Sequence, residues 1–198
     1  MNAPADTPAG KRISIRFREL RPADLDSLYF LHQNHLPEPA RRTFGALQAA
    51  VMEPGAGAMV TEAEDPADQR RVIGAMVIRE GVRPEWMVLD SLVVEPRFRR
   101  QGLGRRLVAW ACRGALAQQR PVLVCLTGQE DKAGEDFLRK VGFEATQIQP
   151  RDLGQDSQDE PASGPGTLWK LVIDLASEPE PPTEEEPSRT EEKEQGHE

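Results

Sequence analysis

Residues 88–117 read VLDSLVVEPRFRRQGLGRRLVAWACRGALA, and the rest of the chain is placed from this stretch. Val88, Leu89, Leu92, Val93 and Val94 make a β-branched, apolar run of strand length that Pro96 stops. The period then changes. Leu103, Leu107, Val108, Ala111, Ala115 and Leu116 recur every three or four residues, which predicts an amphipathic helix with its apolar stripe turned inward. The local unit is strand, short turn, helix.

The turn holds the chemistry. Arg97, Arg99, Arg100, Arg105 and Arg106 crowd the helix start with no acid after Glu95, although a helix N-terminus carries about half a positive charge and ordinarily attracts Asp or Glu. As scaffold alone, that is the wrong sign. It makes sense if a polyanion takes the unpaired N–H groups of the first turn and screens the arginines from one another. Gly102 and Gly104 lack a Cβ, which lets phosphate oxygens approach successive backbone N–H groups. The plainer alternative is an exposed basic helix start with two turn glycines. Two other glycine-loop patterns fail: the dinucleotide fingerprint needs Gly or Ala where this chain has Leu107, and the mononucleotide loop needs Gly-Lys-Ser/Thr, which is absent.

Arg99-Arg100-Gln101-Gly102-Leu103-Gly104 after an apolar strand resembles the Arg/Gln-x-x-Gly-x-Gly/Ala signature of the GNAT superfamily of N-acetyltransferases. The strand ending in Val-Val-Glu-Pro, the helix that follows, and Phe137-Leu138-Arg139-Lys140-Val141-Gly142-Phe143 downstream extend the resemblance over roughly residues 12–175. It implies that acetyl-CoA is the co-substrate, with its pyrophosphate at Arg99, Arg100, Gln101, Gly102, Leu103, Gly104 and Arg105. It also implies a mixed α/β fold, with helices on both faces of a central sheet of roughly seven strands. The fourth and fifth strands of that sheet would splay around the pantetheine arm. By position Leu92, Val93 and Val94 would hold the arm and thioester, and Asp131 would stand where many relatives place an arm-binding Asn.

Periodicity alone gives the same element order. Ile13, Ile15 and Phe17 alternate with polar residues as a first strand, and Leu25, Leu28, Tyr29 and Leu31 make a helical stripe up to Pro37. The resemblance makes His32, Asn34 and His35 candidates to line the acceptor side, whereas polar residues near a helix end read more simply as solvated or capping groups. A second helix is expected over Glu38–Glu53, ended by Pro54-Gly55. Met59 and Val60 start a second strand that gives way to the turn-rich EAEDPADQR, Arg71–Arg79 reads as a third strand, and Trp86–Val94 as the fourth, paired with the third as a hairpin. Val122–Leu126 is a fifth strand parallel to the fourth, because a strand, helix, strand unit of this length crosses over right-handedly. A helix ending at Gly142, a sixth strand over Phe143–Ile148 and a seventh over Leu168–Leu175 complete the domain. The polar loop 150–166 is rich in acids.

Length and charge set the limits. The 198 residues suit one domain, with a loose N-terminus over 1–11, a folded part over 12–175 and an acidic disordered tail over 176–198. From Ser177 onward nine Glu face Arg189 and Lys193, which accounts for seven of the eight net negative charges. The folded part is therefore nearly neutral, which weighs against nucleic acid as a partner. No run reaches the roughly 20 apolar residues of a membrane span. Cys112 and Cys125 sit in apolar settings, where free Cys acts as a small hydrophobe, so a cytoplasmic setting is expected and no metal site.

The expected reaction is acetyl transfer to a small-molecule or protein amine, by direct attack in a ternary complex, and a homodimer is compatible with the sequence. A lysine-like amine has a pKa near 10.4, so a base or water chain must take its proton at neutral pH. Asp90, mid-strand where an unpaired charge is costly, is the first candidate base, and Glu85 at the strand start the second. The chain departs from the family at Leu138, where many relatives carry the Tyr that protonates the departing thiolate; its one Tyr is Tyr29. That departure keeps an alternative open: an acyl-CoA-binding module with little turnover that acts through protein partners.

Overall fold

A computed structural model describes residues 13–64, 69–128, 131–146 and 166–174 of the chain. Strand β1 (Ser14–Glu19) leads through a 3-10 turn, Pro22–Asp24, into α1 (Leu25–His35). Then follow α2 (Phe44–Met52), β2 (Gly57–Glu64), β3 (Arg70–Glu80), β4 (Trp86–Val94), α3 (Leu103–Ala117) and β5 (Val122–Gly128). Helix α4 (Lys132–Lys140), β6 (Glu144–Thr146) and β7 (Gly166–Val172) close the order. The strands make one mixed sheet in the order β1-β2-β3-β4-β5-β7-β6, in which only β4 and β5 run parallel.

The sheet is packed on both faces because its strands alternate two apolar sets. Met76, Ile78, Met87 and Leu89 point to the face covered by Leu107, Val108, Ala111 and Ala115 of α3 and Leu138 of α4. Val60, Ala75, Val77 and Val93 point to the other face, under Leu25, Leu28 and Leu31 of α1 and Leu47 of α2. At the outer strands Arg18 binds both Asp24 (2.6 Å) and Glu62 (2.5 Å), tying β1 to β2 and to the turn before α1. The Arg18 hydrogen bond holds each carboxyl below its ordinary range, against the opposing effect of burial.

Element order, the β3–β4 hairpin and the parallel β4–β5 pair agree with the sequence reading, and β4 has the expected limits. Three boundaries differ. The helix expected over Glu38–Glu53 is divided: Glu38–Ala40 is a 3-10 turn, and α2 starts only after Thr43, whose hydroxyl accepts the Ala46 N–H at 3.2 Å. A proline inside the turn and a capping threonine after it break the pattern that periodicity had joined. β2 continues through Glu62, Ala63 and Glu64, read as turn residues, because β1 and β3 flank it on both sides and Glu62 finds Arg18. β7 lies earlier than expected, in register from Gly166↔Gly128 to Val172↔Val122. The N-terminal segment 1–11, loop residues 151–165 and the tail 176–198 lie outside the described residues.

Candidate active site

β4 passes through two special places: a bulge in its middle and a tight corner at its end. The corner begins where the Glu95 N–H donates to Ile73 O at 2.8 Å and Pro96–Phe98 forms a 3-10 turn. Arg100 (φ 65°) and Gly102 (φ 80°) then both take left-handed conformations before α3 begins. Left-handed residues beside right-handed ones turn successive N–H groups into one concavity, the form of an anion nest. Among the described residues no side chain caps α3, and its first backbone bond is Arg106 N–H to Gly102 O, which leaves the N–H groups of Leu103, Gly104 and Arg105 open.

The five arginines divide by role. Glu95 pairs with Arg97 (2.6 Å) and with Arg71 (2.8 Å), and Arg97 also lies over the Phe98 ring. Arg106 lies 4.2 Å from the Phe17 ring centre, which makes it a packing residue as much as a charge. Arg99 donates to Val94 O (2.9 Å) and His35 O (3.2 Å), pinning the end of β4 to the end of α1. Arg100 and Arg105 are exposed and, among the described residues, without a partner. Gln101 is exposed, and its amide reaches Arg97 O at 3.4 Å; Leu103 is buried beneath the corner with Phe98 and Ile73.

The two glycines also differ from the expectation that both admit phosphate. A Cβ on Gly102 would meet nothing, and its glycine is required by the positive φ. A Cβ on Gly104 would lie 3.1 Å from the Phe137 ring, so Gly104 is small in order to seat α4 against α3.

Next to the corner, β4 and β5 part. They pair through Trp86↔Val122, Met87↔Leu123 and Val88↔Val124, and through no row beyond. From Leu89 onward the edge of β4 that faces β5 is an unpaired backbone edge inside a wedge, which a ligand's amide groups would satisfy. Leu92 and Val94 are half-buried on the α3 side and Val93 is buried on the α1 side, so the wedge meets their main chain. Cys125 faces this region from β5; burial, then the Asp90 and Asp131 carboxylates, push its thiol up to about 12, which makes it inert. Asp131 caps α4, its Oδ1 accepting the Gly134 N–H at 2.8 Å. Leu138, where the hydroxyl is missing, is 3 % exposed and belongs to the main core.

The bulge lies at Asp90. Ile78 pairs with Leu89 and Val77 with Ser91, so Asp90 is the extra residue. Its Oδ1 accepts from Arg79 Nε (2.8 Å) and Arg42 Nη2 (2.9 Å). Oδ2 sits 2.7 Å from Arg42 Nη1 as an ion pair without an aligned hydrogen bond. The Asp90 side chain is 1 % exposed although the residue as a whole is half-buried, so the part that faces open space is its main chain. Both oxygens of this carboxylate, expected to act as the base, thus face guanidinium groups rather than open space. Glu85 is exposed, its carbonyl accepting the Val122 N–H (3.2 Å) before the first paired row, at the closed end of the wedge and apart from the other candidates.

Ser91, Arg42 and Arg79 were not foreseen here, and His32 was a candidate only through the family resemblance. His32, expected to be solvated, is 1 % exposed, and its Nε2 lies 2.6 Å from Ser91 Oγ while Nδ1 is buried without a partner. Burial, with Arg42 adding and Asp90 opposing, lowers its pKa to about 4, so it is neutral at pH 7. Arg42 and Arg79 come from the segment before α2 and from β3. Only Arg79 carried a signal in the sequence: a hairpin turned at Gly81–Pro84 must bring it level with Val88. Asn34 is exposed, bonded to Phe30 O at 2.8 Å.

A mixed sheet opened between its two parallel strands, with an anion nest where the next helix starts, defines the acyl-CoA-using acyltransferase architecture. Residues 56–145 match the family model described as an acetyltransferase (GNAT) domain. The matched stretch runs from β2 to β6, and the fold around it is that of GNAT acetyltransferases. Among solved structures it is similar to Ard1 from Thermoplasma volcanium (21 % identity, TM-score 0.63), over 80 % of this chain and 97 % of that one. The ribosomal-protein-S18-alanine N-acetyltransferase from Escherichia coli is also similar (15 %, TM-score 0.61, 84 % and 98 % covered). A third is a protein from Bacillus anthracis str. Ames assigned as a streptothricin acetyltransferase and solved in complex with acetyl coenzyme A (18 %, TM-score 0.55, 81 % and 99 % covered). At these identities the likeness is one of fold. No curated protein sequence matches the chain. Among the described residues no helix is long and apolar enough to cross a membrane.

Proposed function

We propose that the chain acetylates a primary amine by direct attack in a ternary complex, with acetyl-CoA lying from the α3 corner into the β4–β5 wedge. The observation that supports this is continuity: the open N–H groups of Leu103–Arg105 and the unpaired edge of β4 adjoin one another along a single strand end. The pyrophosphate would take the nest, with Arg99, Arg100 and Arg105 around it and the side chain of Gln101 beside it. The arm would take the main chain of Leu92, Val93 and Val94, with Asp131 holding the start of α4 nearby. Acetyl-CoA supplies an activated carbonyl; the protein supplies alignment, worth several kcal/mol when two reactants are held in near-attack geometry.

The amine nitrogen forms a bond to the carbonyl carbon, the carbon–sulfur bond breaks with its electron pair on sulfur, and the ammonium proton passes to water. No described side chain is set to relay it. Asp90 is buried under two guanidinium groups, and Leu138 has no proton to give the thiolate. General acid–base assistance is typically worth 10²- to 10⁴-fold, so transfer without it is slower but not prevented. Asp90 serves the reaction at one remove, by fixing the bulge so that its main chain faces the wedge.

The test is thiol release from acetyl-CoA with a panel of amines, with pH–rate profiles for the wild type and Asp90→Asn. The expected profile rises with pH as the free amine is populated and keeps its shape in the variant. A limb lost in Asp90→Asn would restore Asp90 as the base. Binding of acetyl-CoA with no thiol released for any amine would instead favour the module without turnover.

A further inference from the structure

The buried charges beneath the bulge are unequally satisfied. Among the described residues Arg79 donates through Nε to Asp90 alone, and the two terminal amino groups of its guanidinium have no partner. The side chain is 14 % exposed and neither amino group is among the buried unpaired atoms, so the fork of N–H donors stays open to a ligand at the edge of the cluster.

The position of the Arg79 fork in the sheet gives it meaning. Arg79 stands opposite Val88, and Val88↔Val124 is the last row before β4 and β5 part. β3 alternates regularly here: Ile78 faces the α3 core, so Arg79, like Val77, faces α1 and α2. The fork thus lies at the root of the wedge, on the side away from α3 and its arginine corner. It touches the residue whose main chain faces the acetyl site.

We infer that Arg79 docks the carboxylate of the acceptor, and that the acceptor is a small amine of amino-acid type whose carboxylate and amino group are only a few bonds apart. The inference rests on the acetyl-transfer reading above. A guanidinium with two parallel N–H donors matches the two oxygens of a carboxylate, and matches neither a carboxamide nor an alkyl chain. Arg79 is one bond from Asp90, and the reacting nitrogen must come to the wedge beside Asp90, so the separation between the two groups of the acceptor has to be short. A site built to bind a charged group also rejects analogues that leave its donors unpaired.

Purified full-length protein with saturating acetyl-CoA would be given L-amino acids, β-alanine and their matched carboxamides, with thiol release followed for each pair. Carboxylates are expected to show kcat/KM at least about 10-fold above their carboxamides. Arg79→Met should bring that ratio near one, while its affinity for acetyl-CoA, measured by calorimetry, stays within about twofold. Arg79→Lys keeps the charge and a contact to Asp90 but not the fork, and should retain part of the preference; it also stands in for Arg79→Met if that variant does not fold. Carboxamides used as well as carboxylates, a preference that survives in either variant at full size, or no turnover of any pair by a protein that binds acetyl-CoA would each overturn the inference and leave the cofactor site standing. Failure to bind acetyl-CoA would instead remove the reading beneath it.

Discussion

The corner that ends β4 and the bulge in its middle lie a few residues apart on one strand, yet they are built by opposite means. At the corner, function resides in backbone: left-handed Arg100 and Gly102, open N–H groups at the start of α3, and arginines left exposed around them. At the bulge, side chains do the work and backbone is the product. Asp90, Ser91, His32, Arg42 and Arg79 are drawn from α1, the segment before α2, β3 and β4, and they are joined to one another by side-chain contacts. An exposed basic corner depends on a ligand to compensate it, whereas the carboxylate at the centre of the buried cluster is compensated within the fold. Damage to the second should therefore appear first as lost stability, and damage to the first as lost affinity.

Asp90→Ala tests that division most severely. It removes the carboxylate that Arg42 and Arg79 share in a mostly buried site. Breaking a buried ion pair from one side typically costs about 3–5 kcal/mol. Urea denaturation should show a loss of that order, together with slower acetyl transfer because the bulge is no longer fixed. A loss below about 1 kcal/mol would mean that water already reaches the cluster.

The contrast also explains what could be read in advance. The corner is written in consecutive residues, Arg99 to Gly104, and its meaning survives without knowledge of the tertiary fold. Strand β4, the parallel partner β5 and the crossover helix were legible for the same reason, since period and chain handedness are local rules. The burial of His32 was not legible. On α1 it looks like any polar residue near a helix end, and only the packing of α1 over β4 buries it against Ser91. Arg42 was hidden by a helix boundary placed too early, and Asp90 was seen as special although the arginines that define its part were not. Gly104 had a second reason that the sequence hid: a Cβ there would meet Phe137 from α4, some thirty residues on.

His32 gives the bulge a pH signature that the corner lacks. Its folded pKa is near 4 against 6.5 when free, so between those values the unfolded chain binds a proton that the folded chain does not. Stability therefore falls as pH drops from about 6.5 towards 4, by about 3 kcal/mol for a shift of this size. Asp24 and Glu62, held low by Arg18, cost stability only further down, as pH falls through the carboxylate range. In His32→Gln the upper of these two declines should disappear and the lower remain, as read by urea midpoints between pH 3.5 and 7.5. An unchanged upper decline would assign it to another group.

At the corner the expected effects are on binding. Arg100→Ala and Arg105→Ala should each weaken acetyl-CoA binding by about 1.5 kcal/mol, roughly tenfold, with little change in melting temperature. The loss should shrink as salt is raised, because exposed charges are screened within about 10 Å at 0.1 M. Arg97→Ala, whose charge is already matched by Glu95, should bind nearly as the wild type does. Equal effects from all three would mean that the arginines act as an undivided field rather than as separate contacts.

The smallest effects separate the two glycines. Gly102→Ala puts a side chain into a left-handed conformation with free space around it, at a cost of about 1–2 kcal/mol that belongs to the backbone alone. Gly104→Ala puts a methyl 3.1 Å from the Phe137 ring, so its cost of about 1 kcal/mol is one of packing. A second substitution tells them apart. In a Phe137→Leu background the Gly104→Ala penalty should fall by about 0.5 kcal/mol or more, since the two positions touch, while the Gly102→Ala penalty should add unchanged. Were both penalties to respond alike, corner and helix packing would be one structure rather than two, and the division drawn along β4 would fail at its nearest point.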